Sequence, residues 1–268
     1  MKTLVTHYRP HLDDICAFWI LKRYLPEAKD AAFAFTATGP GGGTAHDDAD
    51  TICVGVGRGM FDEHKGDVGD CATTLVFKHV MAKIEIDAQE LRALRKIVDW
   101  ALLEDTGKLS TVPFRDFTLP VLIELYPAGP DSDAKVTELG FAVLDALLVV
   151  QRNVVRIEDD WSKRREFDSR YGKTVALESS ARKIDTFAYA KGFPLVVIVD
   201  PDRTYHTIRA DAAADIDLTP VWEKIREHDA VADWYFHHSK KMLICGGDHA
   251  PNARPSTLTV EDLIGFLK

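Results

Sequence analysis

Two imidazoles and two carboxylates crowd one short stretch near the amino terminus, His7-Tyr8-Arg9-Pro10-His11-Leu12-Asp13-Asp14. Imidazole and carboxylate together suit zinc, manganese or iron, whereas carboxylate alone suits magnesium. A second run of ligand-type residues, Asp62-Glu63-His64, follows Phe61 and precedes Lys65-Gly66. A third, His46-Asp47-Asp48-Ala49-Asp50, has the same residue types but reads as a solvated turn. For the first stretch the plainer alternative is that Asp13 or Asp14 caps a helix and the histidines are ordinary loop residues.

The elements that must position these groups follow from periodicity. Thr3 to Thr6 reads as a buried strand. Ile15, Phe18, Trp19 and Leu21 recur at helical spacing and end before Pro26. Pro10 disfavours a helical Arg9, so His7 and His11 are expected on an irregular loop between the two. A strand-to-helix turn of this kind lies at the carboxyl end of a strand, where open α/β sheets bind ligands. Ala31 to Ala37 alternates small and aromatic residues and reads as a strand. Thr51 to Val56 reads as a second central strand, leading through Gly57-Arg58-Gly59 into Asp62-Glu63-His64. Between them, Gly39-Pro40-Gly41-Gly42-Gly43 is a flexible loop or a backbone nest for phosphate; it lacks the Lys-Ser/Thr ending of a nucleotide-binding loop.

Helices are expected over Cys71 to Ile84 and Asp87 to Leu103, the second carrying Asp99 and ending at Glu104-Asp105-Thr106-Gly107. Thr111 to Asp133 reads as loop around a short apolar helix, Leu119 to Leu125. A long helical pattern from Lys135 to about Phe167 is apolar in its first half and charged in its second, which suits an inter-domain connector. Lys163-Arg164-Arg165 reads as its solvated end. Beyond it, strands at Thr174–Leu177, Leu195–Val199, Tyr205–Arg209, Trp234–His238 and Met242–Cys245 interleave with helices at Lys183–Lys191, Pro220–His228 and Val260–Leu267. The expected architecture is therefore α/β in two domains. Residues 1–150 form a mostly parallel sheet flanked by helices, residues 151–172 a helical connector, and residues 173–268 a smaller α/β domain.

Bulk properties narrow the function classes. The chain has 268 residues, is 46% hydrophobic and carries a net charge of −9. That charge argues against coating nucleic acid by bulk attraction and favours short substrates over long duplexes. It leaves a nuclease open, because metal-binding carboxylates inflate the negative count. No apolar run approaches the roughly 20 residues of a membrane span. Cys16, Cys53, Cys71 and Cys245 have no paired spacing and read as reduced core thiols of a cytoplasmic protein.

The order of these motifs resembles the DHH phosphoesterase superfamily, which includes RecJ-type exonucleases, manganese pyrophosphatases and short-RNA hydrolases. Within it the chain looks most like the Myg-type exonuclease family. Thr6-His7 and His11-x-Asp13-Asp14 resemble that family's first motif, with one residue fewer in the loop. Phe61-Asp62-Glu63-His64 sits where it has Phe-Asp-His-His, and Phe236-His237-His238-Ser239 with Gly246-Gly247 resembles its ending. The resemblance implies a metal-dependent phosphodiesterase or phosphatase, exonuclease-like, acting on short single-stranded nucleic acids or nucleotides, with no membrane partner. The oligomeric state stays open, a homodimer among the candidates. It implies divalent cations, manganese first, with magnesium or zinc as alternatives.

By the same resemblance His7 and His11 would bind one cation and Asp13 the other, with Asp14 an alternative ligand or the helix cap. Glu63 replaces the signature's middle histidine and can still ligate. Asp99 matches the carboxylate on the later helix, with Asp105 the less favoured candidate. His64 would face the phosphate and Asp62 would orient its neighbours. Ser239, Lys240, Gly246, Gly247, His249 and Arg254 would hold the remote end of the substrate; a simple turn is the alternative for Gly246-Gly247-Asp248. One departure stands out: where the family has a bridging Asp at the end of the second strand, this chain has Val54-Gly55-Val56-Gly57. Asp47, Asp48 and Asp50 precede that strand and lie roughly 16 Å from its far end at about 3.3 Å per residue. The glycine leaves room for a water or substrate oxygen, or the chain holds one cation or none. That last case is a non-catalytic relative that binds a nucleotide or partner; a small-molecule phosphatase or pyrophosphatase is the other alternative.

Overall fold

The structure is a computed structural model that describes residues 1–38, 45–64, 69–202 and 204–268. The chain divides into two compact units, Met1–Arg152 and Asn153–Lys268. The glycine-rich run 39–43 and Lys65-Gly66 lie outside the described residues.

The first unit is built on a three-stranded parallel sheet. β1 (Thr3–His7) is central, flanked by β2 (Ala32–Thr36) and β3 (Thr51–Cys53). Leu4, Val5 and Thr6 are all buried, the continuous run that a parallel strand covered on both faces requires. β3 is shorter than expected and forms an edge of this sheet, not a centre. After Cys53 the Val54 N–H still donates to the Val5 carbonyl and a bridge joins Val54 to Phe61, before Gly55 and Gly57 take positive φ and turn the chain away.

α1 (Leu12–Tyr24) is buried from Leu12 through Leu21, so it is an interior helix with no solvent face over that length. It packs against α2 (Ala72–Met81) and α3 (Ala88–Asp105). The short α4 (Leu119–Glu124) and the long α5 (Ser132–Trp161) follow. Gly140 of α5 sits against α1: a Cβ there would lie 2.6 Å from Ile15 Cγ2. Glu90 of α3 ties three helices together, accepting from Tyr24 of α1 and pairing with Arg152 of α5.

The division between units falls within α5, which ends at Trp161, earlier than the expected Phe167. The charged residues that follow form β4 (Arg165–Ser169), an edge strand hairpinned onto β5 (Gly172–Glu178). Phe167 packs inward between the exposed Glu166 and Asp168, so strand alternation wins over the helical pattern. The second unit's sheet runs β4-β5-β6-β7-β9-β8, with β6 (Leu195–Val199), β7 (Tyr205–Ala210), β8 (Trp234–Phe236) and β9 (Met242–Gly246). Among the described residues of this sheet, only the β5–β6 pair is parallel. Leu195, Val197 and Val199 face the core that includes α7 (Thr219–His228) and α8 (Val260–Leu267). Val196 and Ile198 face α6 (Ile184–Ala190) on the other side, a period of two residues that sorts one buried strand between two cores. β8 stops at Phe236, so His237 and His238 lie beyond it. All four cysteines are free and buried. Among the described residues no helix is long and apolar enough to cross a membrane.

Candidate metal centre

The first unit has a cavity of about 1010 Å3 at the carboxyl ends of its three strands. His7 ends β1, Thr36 ends β2, and Gly55 to Arg58 follow β3; all of them line it. Every lining residue lies between positions 7 and 124, within the first unit.

His7 is the last residue of the strand, not part of a loop. Its Nδ1 lies 2.8 Å from the Tyr8 carbonyl oxygen, which can only accept, so Nδ1 carries a hydrogen. Nε2 then faces Asp14 Oδ2 at 3.0 Å. That hydrogen bond with Asp14 raises the His7 pKa to about 9 against the opposing effect of burial. His11 is the N-cap of α1, partly freed from helical geometry by Arg9 at φ +56° and by Pro10. The His7 and His11 rings stand 4.9 Å apart, edge to face.

Asp14 is 3% exposed. It accepts from Thr6 Oγ1 at 2.7 Å and from the His11 N–H at 2.9 Å. Burial alone would raise its pKa; the His7 contact and these donors outweigh that and hold it below the usual carboxylate value. Metal-ligand atoms of His7, His11 and Asp14 all lie within 4.8 Å of one another.

Asp13, one residue earlier, turns about 100° away on the helix and meets the start of α2. Its two oxygens accept from the Ala72 and Thr73 N–H groups, each at 2.9 Å. It therefore satisfies two of the orphan donors of that helix. Burial, then the Asp14 charge, raise its pKa to about 6. It still lines the cavity, although the side chains of Cys71 and Thr73 also contact its carboxylate.

Asp62, Glu63 and His64 form the second group of ligand atoms within 4.8 Å. Asp62 is the organiser: it accepts from the Arg58 N–H at 2.6 Å, the His64 N–H at 3.0 Å and His64 Nδ1 at 2.9 Å. Against burial, those contacts hold its pKa down. The Asp62 hydrogen bond in turn raises that of His64, whose ring is largely exposed. Glu63 Oε2 is buried with no hydrogen-bond partner, and burial is the main cause that raises the Glu63 pKa to about 7.

Gly55 is not an open space. Its φ is +64°, and a Cβ there would lie 2.5 Å from Asp14 Oδ1. The room left by the glycine is taken by the Asp14 carboxylate.

Asp99 is exposed on α3 and is not among the lining residues, whereas Asp105, at the end of that helix, is. Six residues at about 1.5 Å each separate them along the axis, and only the carboxyl end reaches the cavity. Burial, then the Asp14 charge, raise the Asp105 pKa. Arg9 and Arg58, both at positive φ, also line the cavity; nothing in the sequence pattern singled them out as site residues.

The residues named for the second unit do not converge. Ser239 and Lys240 precede β9 and Gly246 ends it, so about 16 Å of strand lies between them. Ser239 Oγ bonds His237 Nδ1, Lys240 pairs with Asp217, and Arg254 forks onto Asp233. Gly247 and His249 alone of that set line a cavity in this unit.

No family model matches the chain, and no curated protein matches it. Among solved structures, the chain is similar to RecJ from Thermus thermophilus in complex with Mg2+, at 13% identity and a TM-score of 0.28, over 93% of this chain and 47% of that one. It thus spans about half the length of that RecJ. It is also similar to a DHH domain from a protein described as belonging to a family of ribosomal proteins, at 11% identity and a TM-score of 0.31, over 99% of this chain and 85% of that one.

Proposed function

We propose that the first unit is a divalent-cation-dependent phosphoester hydrolase of the DHH type, acting on short nucleic acids or nucleotides. The observation that carries this reading is that two groups of imidazole and carboxylate ligands, His7-His11-Asp14 and Asp62-Glu63-His64, line one cavity at the carboxyl ends of parallel strands. The donor set fits a cation. Glu63 Oε2 is a buried carboxylate oxygen with no protein partner, an arrangement that a cation would satisfy. His7 donates Nδ1–H to a backbone carbonyl, which fixes its ring and aims Nε2 at the site, as a ligating histidine requires.

In this reading His7, His11 and Asp14 hold one cation, and Glu63 with Asp105 and Asp13 hold a second. Bound cations would acidify a water and neutralise developing charge on the leaving oxygen. Mixed imidazole and carboxylate ligation favours manganese, with zinc and magnesium as alternatives. Asp62 fixes the His64 ring and favours its protonated form, which suits contact with a non-bridging phosphate oxygen. The guanidinium of Arg58 adds positive charge at the same cavity. A volume of about 1010 Å3 admits a nucleotide and its neighbour, and the net charge of −9 is consistent with a short substrate.

The test is hydrolysis of a short RNA, a single-stranded DNA oligomer and a nucleoside bisphosphate with and without Mn2+. Cation-dependent turnover of at least one, abolished by His11→Ala, is expected; His11 is exposed, so the variant leaves the core intact. Absence of Mn2+, Zn2+ and Mg2+ uptake would end the reading. Uptake without turnover would leave a non-catalytic binding protein.

A further inference from the structure

Residues 111–130 carry only Arg115, Asp116 and Glu124 as charged residues, in a chain that is 28% charged. The same stretch holds Phe114 at 81% exposed, Phe117 at 84%, Leu122 at 53% and Leu125 at 71%. Depletion of charge with enrichment of aromatic rings is the composition of an interface core. One exposed apolar residue needs no explanation, but four within twelve positions do.

The four are held together by local structure. The Phe117 N–H donates to the Phe114 carbonyl at 3.0 Å, closing one tight turn, and α4 begins two residues later. Leu119, Pro120 and Ile123 are the buried face of α4, and Leu122 and Leu125 turn to the other side. Ile123 lines the cavity of the metal centre, whereas none of the four exposed residues does, so a substrate in that cavity does not cover them. The turn is also rigid. Arg115 donates through both terminal nitrogens to the Glu104 carboxylate of α3, and Arg9 donates to the Glu124 carbonyl at 2.9 Å. A fixed surface loses little freedom on docking. Phe114 sits at φ +59°, where a bulky residue is an outlier. Its exposed ring gives the fold little burial in return, and strain of this kind persists at binding surfaces.

Area selects the occupant. A buried phenyl ring removes about 150–250 Å2 from water, so two rings and two leucines this exposed present roughly 500 Å2. That is near the top of the range of about 300–600 Å2 for the largest patch on a monomer. Two such patches face to face bury about 1,000 Å2, the lower bound for a specific interface. The patch has rings at one end and leucines at the other, so a twofold axis matches each end with its complement.

We propose that this patch is an isologous contact between two copies of the chain, with Phe114 and Phe117 of one copy packed on Leu122 and Leu125 of the other. The contact goes beyond the phosphoesterase reading and does not depend on it. An interface of this size gives a weak dimer, with Kd of micromolar order.

The test is sedimentation of the full chain from about 1 μM to about 300 μM, which brackets such a Kd. A reversible monomer–dimer equilibrium is expected. Phe117→Ser should weaken it at least roughly tenfold, the loss of an aromatic anchor. Phe114→Gly should also weaken it, yet should not lower the melting temperature of the dilute monomer, because glycine accepts the left-handed backbone. Leu122→Glu and Phe117→Lys should each abolish the dimer, and mixing the two variants should restore association, since the new acid and the new base then face each other across the axis. A monomer at about 300 μM would overturn the proposal, whether or not it sediments with vesicles of phosphatidylcholine and phosphatidylglycerol. So would a dimer unaffected by Phe117→Ser, or no gain on mixing the two charged variants.

Discussion

Asp14 Oδ1 occupies the space over Gly55, 2.5 Å from where a Cβ at that residue would stand. A helix carboxylate thus fills the place into which a side chain at position 55 would project. Gly55→Asp alone should be destabilising: the left-handed backbone costs about 1–2 kcal/mol for a residue with a Cβ, and Asp14 is pushed out as well. Adding Asp14→Gly removes the clash and returns one carboxylate to the same region. Thermal melts of the two single variants and the double variant should show the double more stable than additivity predicts. Strict additivity would mean that the two residues do not compete for one volume.

Asp105, not Asp99, is the acid of α3 that reaches the cavity. Asp105→Asn should weaken Mn2+ binding by at least roughly ten- to a hundredfold, the range seen when even a supporting partner of a metal site is lost. Asp99→Asn should leave both binding and stability within about 0.5 kcal/mol, as for other exposed positions. Titration with Mn2+ followed by calorimetry checks both, and the reverse ranking would mean that α3 is placed differently.

The pH dependence of the metal-free protein has a definite sign. His7 is raised from 6.5 to about 9 by its Asp14 contact, so its contribution is full below 6.5 and is lost as pH rises through 9. Asp13 and Glu63, raised to about 6 and about 7 chiefly by burial, favour their protonated forms in the fold and also lose stability as pH rises. Asp14 is depressed and opposes this only below its unfolded value of 3.8. Melting temperature in chelator should therefore fall between mildly acidic and alkaline pH. Saturating Mn2+ should flatten or reverse the fall, because a cation takes the deprotonated ligands. A chelated protein that grows more stable from pH 5 to about pH 9 would contradict these shifts.

Gly140→Ala probes the packing beneath the site. The added methyl would meet Ile15 Cγ2 at 2.6 Å, inside a helix pair with no slack. Overpacking of this kind costs about 1–3 kcal/mol, outweighing the helix propensity gained from alanine. Denaturant unfolding should show the loss, and in an Ile15→Ala background, where Cγ2 is gone, Gly140→Ala should cost measurably less.

Much of the scaffold is legible in the residue pattern because burial imposes a period on each element. Leu195 to Val199 and the run from Ile15 to Leu21 are continuously apolar, and both are buried throughout. The α/β architecture with a parallel first sheet follows from such runs. What the pattern left open was direction. Asp13 and Asp14 are adjacent in sequence, yet one meets α2, roughly sixty residues away, and the other meets His7. Both line the cavity, and only tertiary packing sets which partners each of them meets there. The charged stretch after Trp161 is similar: its helical spacing is weak, and pairing with β5 takes Arg165–Ser169 into the sheet. The separation of Lys240 from Gly246 was in principle foreseeable, since a strand of five residues puts its ends far apart.

The Tyr8 carbonyl that anchors His7 Nδ1 belongs to the main chain. Exchanging the phenol of Tyr8 for any other side chain leaves that oxygen where it is. The imidazole tautomer is therefore written into the covalent path of the polypeptide as it leaves the sheet, and it would survive sequence drift that erased every neighbouring side-chain partner.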